Sequence, residues 1–218
     1  MKTLRIRRSG EQIPVGKILC IGRNYQEHTR EMKADVPESP VVFLKPSSAL
    51  LSTGEDIVIP SVSREVHHEV ELVVAISREG KNISEAKAKE YILGYAVGLD
   101  MTMRDVQAEA KRKGLPWSTA KGFDTSAPLS DVIEALEVKD PSSLEIMCNV
   151  NGTVRQRTFA RAMIFSVDQL LSYVSTIFTL ERGDLIFTGT PAGVDRVVAG
   201  DIITAELINY VSITHKIC

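Results

Sequence analysis

Residues 69–76 read Glu-Val-Glu-Leu-Val-Val-Ala-Ile, and this stretch decides the fold. The last five residues are apolar and rich in β-branched side chains, the signature of a buried strand. Its start alternates, so Glu69 and Glu71, two apart, point to one face. Two like charges beside an apolar run repel each other and lose solvation. A hard divalent cation resolves the conflict, because Mg²⁺ takes oxygen ligands and keeps several waters. The competing reading is a carboxylate pair on the exposed face of an edge strand, the commoner fate of Glu-x-Glu taken alone.

A second strand, Ile92–Asp100, carries small residues at Gly94, Ala96 and Gly98 and ends on an acid. Asp100 then faces the pocket end of the sheet, or caps the helix that follows, or both. Glu69, Glu71 and Asp100 form a candidate ligand set. An all-oxygen set suits Mg²⁺ or Mn²⁺ over Zn²⁺. His67-His68 does not change this, since neighbours on a strand split to opposite faces.

Outward from these two strands, the pattern predicts strands over 3–8, 17–22, 41–44 and 56–59, the last stopped by Pro60. Glu145–Val150 followed by Asn151-Gly152 predicts a hairpin, because Asn-Gly suits the two positive φ values of a type I′ turn. Asp184–Thr188 and Asp201–Val211 read as strands with turns. Helices are short: one capped by Asn24 that carries Glu27, His28 and Glu31, one from Ser84 to about Glu90, and one from Thr102 or Asp105 to Lys113, closed by Gly114. Ser166 with Gln169 is a capping box ahead of a helix over 167–176. Strands outnumber helices, which predicts a β-rich α+β unit spanning 1–218.

The chain has 218 residues and a net charge near −2, so no global field points to nucleic acid or an anionic membrane. No apolar run approaches the roughly 18 residues that span a bilayer. The opening MKTLRIRRSG lacks the apolar core of a secretory signal. Three widely spaced cysteines, an odd number, favour reduced thiols and a cytoplasmic location.

Further candidates stand beside bland alternatives. His28 and Glu31 share a helix face at i, i+3, and a carboxylate that holds an imidazole makes a better base near neutral pH; a surface pair looks the same in sequence. Lys121 lies among Trp117, Ala120 and Phe123, either as counter-charge to a substrate carboxylate or simply snorkelling. Arg104 and Gln107 share one helix face. Phe-Thr-Gly-Thr-Pro-Ala-Gly, 187–193, offers backbone N–H groups to an anion or is an ordinary tight turn; it lacks the lysine of a P-loop.

Taken in order, IGRNYQEHTREM (21–32), VVFLKPSSAL (41–50), HHEVELVVAI (67–76), GYAVGLDMTMRDVQ (94–107), KGLPWSTAKGFDTSAP (113–128) and GDLIFTGTPAGV (183–194) resemble the fumarylacetoacetate hydrolase family, in its short acylpyruvase and oxaloacetate decarboxylase-like branch. The resemblance implies a mixed β-sandwich roll, a homodimer and Mg²⁺ or Mn²⁺. It assigns the metal to Glu69, Glu71 and Asp100, catalysis to His28, Glu31 and Lys121, and a lid to about 24–36. Arg23, Lys45, Arg104, Gln107, Gly189 and Thr190 fall to the substrate. Where larger relatives carry a fourth acidic ligand this chain has Ile21, and where Gly-Pro usually follows the 187–193 loop it has Asp195-Arg196.

The expected reaction is hydrolysis of a C–C bond in an acylpyruvate, such as fumarylpyruvate or acetylpyruvate, through a pyruvate enolate on the metal. Decarboxylation of oxaloacetate and isomerisation of an unsaturated 2-oxo diacid use the same type of intermediate. A metal-binding β domain without activity needs no His28–Glu31 pair, and a nucleotide-binding protein needs a strand–loop–helix context absent around 187–193.

Overall fold

The computed structural model describes residues 2–32 and 35–218. The Val70–Ile76 strand lies inside a six-stranded mixed sheet. The order is Ile133–Glu134, Ile92–Leu99, Val70–Ile76, Leu185–Phe187, Ile18–Gly22, Val41–Lys45. Leu185–Phe187 runs parallel to Ile18–Gly22, and the other pairs are antiparallel. A four-stranded antiparallel sheet packs on one face, in the order Thr153–Phe159, Glu145–Val150, Ile202–Leu207, Val211–Lys216. Its first hairpin turns through Asn151 and Gly152 at φ 53° and 77°, as the Asn-Gly pair predicts.

Every residue of Val70–Ile76 is buried, because both faces of the strand are covered. Val70, Leu72, Val74 and Ile76 point into the sandwich, against Ile146, Cys148, Ile203 and Ile213. Val73 and Ala75 point the other way. They join a second cluster with Ile18, Cys20, Phe187 and the Leu4, Ile6 and Ile13 side chains of the N-terminal hairpin. A strand with two buried faces reads as a continuous apolar run rather than an alternation. Glu71 interrupts that run on the second face, and the sheet has room for it there: its cross-strand neighbour is Gly98, where a Cβ would lie 2.6 Å from the Phe187 ring.

The β-rich α+β architecture expected from the sequence is the one observed. Four α-helices occur among the described residues: α1 (Gln26–Glu31), α2 (Arg104–Lys113), α3 (Ser118–Lys121) and α4 (Val167–Ile177). The capping box of α4 forms, with Ser166 and Gln169 bonding reciprocally, and Gly114 closes α2 in the left-handed conformation at φ 67°. Some boundaries differ. The first strand is only Thr3–Arg5, since Gly10 turns the chain back into the paired Gln12–Pro14. Asp56–Ile59 makes a single bridge, Ile57 to Ile217, rather than a ladder. Glu85–Tyr91 is a run of 3-10 turns. No helix among the described residues is long and apolar enough to cross a membrane, and the three cysteines are free.

Candidate metal centre and active site

Glu71 pairs with Gly98 across the sheet, and one rung further the Asp100 amide donates to the Glu69 carbonyl at 2.8 Å. Residues 69, 71, 98 and 100 therefore face the same side, at the end of the sheet where the two strands run out. Ligand oxygens of Glu69, Glu71 and Asp100 lie within 4.8 Å of one another, and all three residues are buried. The edge-strand reading of Glu-x-Glu fails here, because this edge is the interior of the molecule.

Buried carboxylates need partners. Lys121, at the end of α3, donates to Glu69 Oε2 at 2.7 Å, Asp100 Oδ2 at 2.6 Å and Thr102 Oγ1 at 2.6 Å. Arg104, at the start of α2, bonds Glu69 Oε1 and also donates to Gln107 Oε1 at 2.7 Å. Lys45 Nζ sits 2.8 Å from Asp100 Oδ1, too far off-axis to donate, so that oxygen is buried without a hydrogen bond. Lys45 gives its protons instead to the Lys121 carbonyl, to Ser126 Oγ at 3.0 Å and to the Met101 carbonyl at 3.3 Å.

The three acids do not share these cations evenly. Burial would raise Glu69, but the charges of Lys121 and Arg104 outweigh it and hold that carboxyl well below the usual range. Glu71 receives only the Gly189 N–H at 2.7 Å. Burial, then repulsion from Asp100 and Glu69, pushes its carboxyl well above the usual range. Burial would lower Lys121, yet Asp100 and Glu69 raise it, so it stays charged. An under-neutralised acid beside an orphaned carboxylate oxygen is the chemistry a hard divalent cation satisfies, and the residues present fit Mg²⁺ or Mn²⁺.

A cavity of about 360 Å³ opens over these acids. Its wall includes Arg23, His28, Arg104, Gln107, Lys121 and Thr190 with the three carboxylates. His28 is buried on α1, with Nδ1 at 3.3 Å from Glu31 Oε2. Glu31 in turn accepts from the Gly193 N–H at 3.2 and 3.3 Å. Gly193 has φ +95°, and a Cβ there would lie 2.1 Å from the Arg155 carbonyl oxygen. Asn24 does not cap α1. It is fully buried and crosses to other segments, donating to the Phe165 and Thr188 carbonyls at 3.0 and 2.8 Å and accepting from the Phe165 N–H at 2.8 Å. Tyr25 precedes α1 without any side-chain cap. Of the expected lid over 24–36, residues 33 and 34 lie outside those described.

Two residues expected at the substrate sit behind the wall instead. Lys45 is absent from the cavity lining and backs Asp100, while Gly189 holds Glu71. The 187–193 loop does bind anions, but they are the protein's own carboxylates, Glu71 and Glu31. Ile21 lines the cavity, and Asp195-Arg196 forms a short strand, Asp195–Val197, against His68 and His67. His68 is buried, bonded to Gln156 at 2.9 Å, and takes no part in an acidic cluster. Sequence reasoning missed Phe43, Trp117 and Lys111 on the wall. Lys111 was within reach of the helical pattern: it lies seven residues after Arg104, two turns along the same face of α2. Gln156 was not, because its contacts to Val70, Thr190 and Pro191 are all long-range.

The fumarylacetoacetate (FAA) hydrolase C-terminal family model matches residues 17–218. The chain belongs to this family. It is 48% identical over 200 residues to the rat (Rattus norvegicus) oxaloacetate tautomerase FAHD1, mitochondrial, covering 92% of this chain and 90% of that one. Fumarylpyruvate hydrolase from Pseudomonas aeruginosa, solved with Mn²⁺ and pyruvate, superposes with a TM-score of 0.95 at 38% identity, over 99% of this chain and 95% of that one. 5-Carboxymethyl-2-hydroxymuconate delta-isomerase from Mycobacterium smegmatis follows at 0.84 and 37%, over 94% and 80%. Family members thus include a tautomerase, a hydrolase and an isomerase, and the family is one of enzymes.

Proposed function

We propose that this chain moves a proton at the carbon beside the keto group of a short 2-oxo acid of the oxaloacetate class, with Mg²⁺ or Mn²⁺ held by Glu69, Glu71 and Asp100. The observation that carries the reading is the cavity itself, floored by three buried carboxylates and roofed by a histidine. The ion would supply a Lewis acid at the keto and carboxylate oxygens. Glu31 engages His28 Nδ1, which leaves Nε2 as the ring nitrogen that takes the proton from carbon and returns one to oxygen. Arg104 occupies Gln107 Oε1, so the Gln107 amide nitrogen is left to donate to the substrate carboxylate. Thr190 offers a hydroxyl on the same wall. Lys121, with its three protons committed, positions Glu69 and Asp100 and supplies counter-charge.

The tautomerase relative supports oxaloacetate as substrate. Hydrolysis of an acylpyruvate is the second reading, supported by the likeness to the Pseudomonas hydrolase. It needs the same proton transfer at the end and, before it, a water deprotonated by His28. Decarboxylation and double-bond isomerisation also need that transfer, so the site fits the proton step better than any one bond cleavage.

The test follows the decay of enol-oxaloacetate absorbance and the release of pyruvate from acetylpyruvate and fumarylpyruvate, each with Mg²⁺ or Mn²⁺. Faster enol decay that collapses in His28→Gln supports the first reading. Rapid pyruvate release without faster enol decay promotes the second, and neither activity sinks both.

A homodimer belongs to the same proposal. Val41–Lys45 is an edge strand of the large sheet and leaves Leu44 44% exposed beside half-buried Val42 and Phe43, an apolar edge that a second copy would cover. A sedimentation mass of one 24.0 kDa chain would remove that part. Three free cysteines suit a reducing, cytoplasm-like compartment.

A further inference from the structure

The cations around the cavity fall into two groups. Lys45, Lys121 and Arg104 each lie against Glu69 or Asp100. These three cations are committed to the inner acids. Lys111 and Arg23 line the same cavity but form no ion pair among the described residues. Lys111 extends from the last turn of α2, and its ammonium stands 5.1 Å from the centre of the Trp117 ring. Trp117 meets Phe43 edge-on at 6.0 Å, so an aromatic wall leads from the inner acids to this outer pair. Arg23 is held in the left-handed region at φ 59°, a conformation an arginine adopts only when its surroundings impose it. Burial, then the nearby charges of Arg104 and Lys121, lowers the Lys111 ammonium, and Arg23 adds to the effect.

We propose that Lys111, with Arg23, forms an outer anion subsite that reads the second carboxylate of a dicarboxylic 2-oxo acid and so sets the enzyme's preference for diacids over monoacids. The inference rests on the 2-oxo acid reading above and deepens it. The inner half of the site takes the 2-oxo carboxylate and keto group, which every 2-oxo acid has. Only the outer half, which carries two positive charges and no acid of its own, distinguishes substrates by their far end. The aromatic wall between them accommodates the apolar or unsaturated carbons that separate the two carboxylates. Lys111 is a specificity residue in this scheme and takes no part in proton transfer.

The test uses two ligands that cannot undergo the proposed proton transfer from carbon, titrated calorimetrically into the Mg²⁺-loaded protein. Oxalate is short enough to use the inner half alone. Difluoro-oxaloacetate has the second carboxylate but no proton on the carbon to be deprotonated. Lys111→Met keeps the aliphatic cover over Trp117 and removes the charge. It should weaken difluoro-oxaloacetate by about tenfold, the size of one lost charge-assisted contact at a half-solvated site, and leave oxalate within about twofold. Lys111→Arg should stay near wild type for both, and Lys111→Glu should weaken the longer ligand further than Lys111→Met. Equal weakening of both ligands by Lys111→Met would show a general field effect and overturn the subsite, as would no change in either. Wild-type protein that binds neither ligand would sink the 2-oxo acid reading beneath it, an outcome distinct from the other two.

Discussion

The floor of the cavity and its roof are built in opposite ways. The floor stands on Val70–Ile76 and Ile92–Leu99, two paired central strands whose side chains are buried on both faces. Its acids are held by three cations and a backbone N–H. The roof is α1, a six-residue helix without a side-chain cap, below the length at which a helix is stable on its own. It is tied down by buried Asn24 at its entry and by the Glu31 to Gly193 bond near its exit. The rigid half holds charge in place; on the proposed reading the weakly tethered half carries the proton-transferring group and would close once substrate has entered.

If that division is right, damage to the two halves separates cleanly. The largest effect belongs to the floor. Glu71→Ala should abolish Mg²⁺ and Mn²⁺ binding in calorimetry and take all activity with it, while the sheet survives because Gly98 opposite needs no partner side chain. Metal binding at wild-type affinity in Glu71→Ala would move the metal elsewhere. Next comes the roof: His28→Gln should lose about 10²–10⁴ in kcat, the usual worth of a positioned general base, with metal affinity unchanged. The loss should be greater for acylpyruvate hydrolysis than for oxaloacetate decarboxylation, which leans mainly on the metal as electron sink. Equal losses would reduce His28 to closing the cavity.

A subtler break tests the tether. Gly193→Ala places a Cβ against the Arg155 carbonyl in a backbone conformation that alanine disfavours, so the loop must shift and the Glu31 contact loosen. We expect faster amide exchange across 26–32, a rate loss of about tenfold and no change in metal affinity. In the wild type, oxalate should slow exchange across the same residues. Equal protection with and without oxalate would mean that α1 is no lid.

The same contrast explains what the sequence made legible. Glu69, Glu71 and Asp100 are set by strand alternation and cross-strand register, local rules that a sequence displays. Asn151-Gly152, Ser166 with Gln169 and Gly114 are equally local, and each does what its residues suggest. Asn24 looked like a helix cap because its contacts to Phe165 and Thr188 come from segments some 140 and 164 residues away. The resemblance, not a local rule, assigned Lys45 to the substrate, and its burial behind Asp100 depends on how Val41–Lys45 packs against α3. The family resemblance supplied His28 and Glu31, which spacing alone could not tell from a surface pair.

The smallest effect is a proton. Glu71 is the acid whose folded-state carboxyl is raised, by burial and by its two acidic neighbours, so without metal it keeps its proton above the pH at which it would lose it in the unfolded chain. The metal-free fold then binds more protons than the unfolded chain between those two pKa values. Its stability must fall as pH rises through that window. Glu69 has the opposite sign: its carboxyl is depressed, so its contribution is present above the unfolded pKa and is lost as pH falls through the folded one. A divalent cation removes the repulsion that protonates Glu71 and displaces its proton. Metal affinity should therefore rise with pH, by up to about tenfold per unit, until Glu71 is ionised in the free protein. Calorimetry in buffers of different ionisation enthalpy should show close to one proton released per ion below that point. Glu71→Gln should abolish the release, and added Mg²⁺ should flatten the fall in wild-type stability across the same window. Affinity independent of pH, with no proton released, would mean that Glu71 is already ionised beside Glu69 and Asp100, and the floor would then owe its charge balance to Lys121, Lys45 and Arg104 alone.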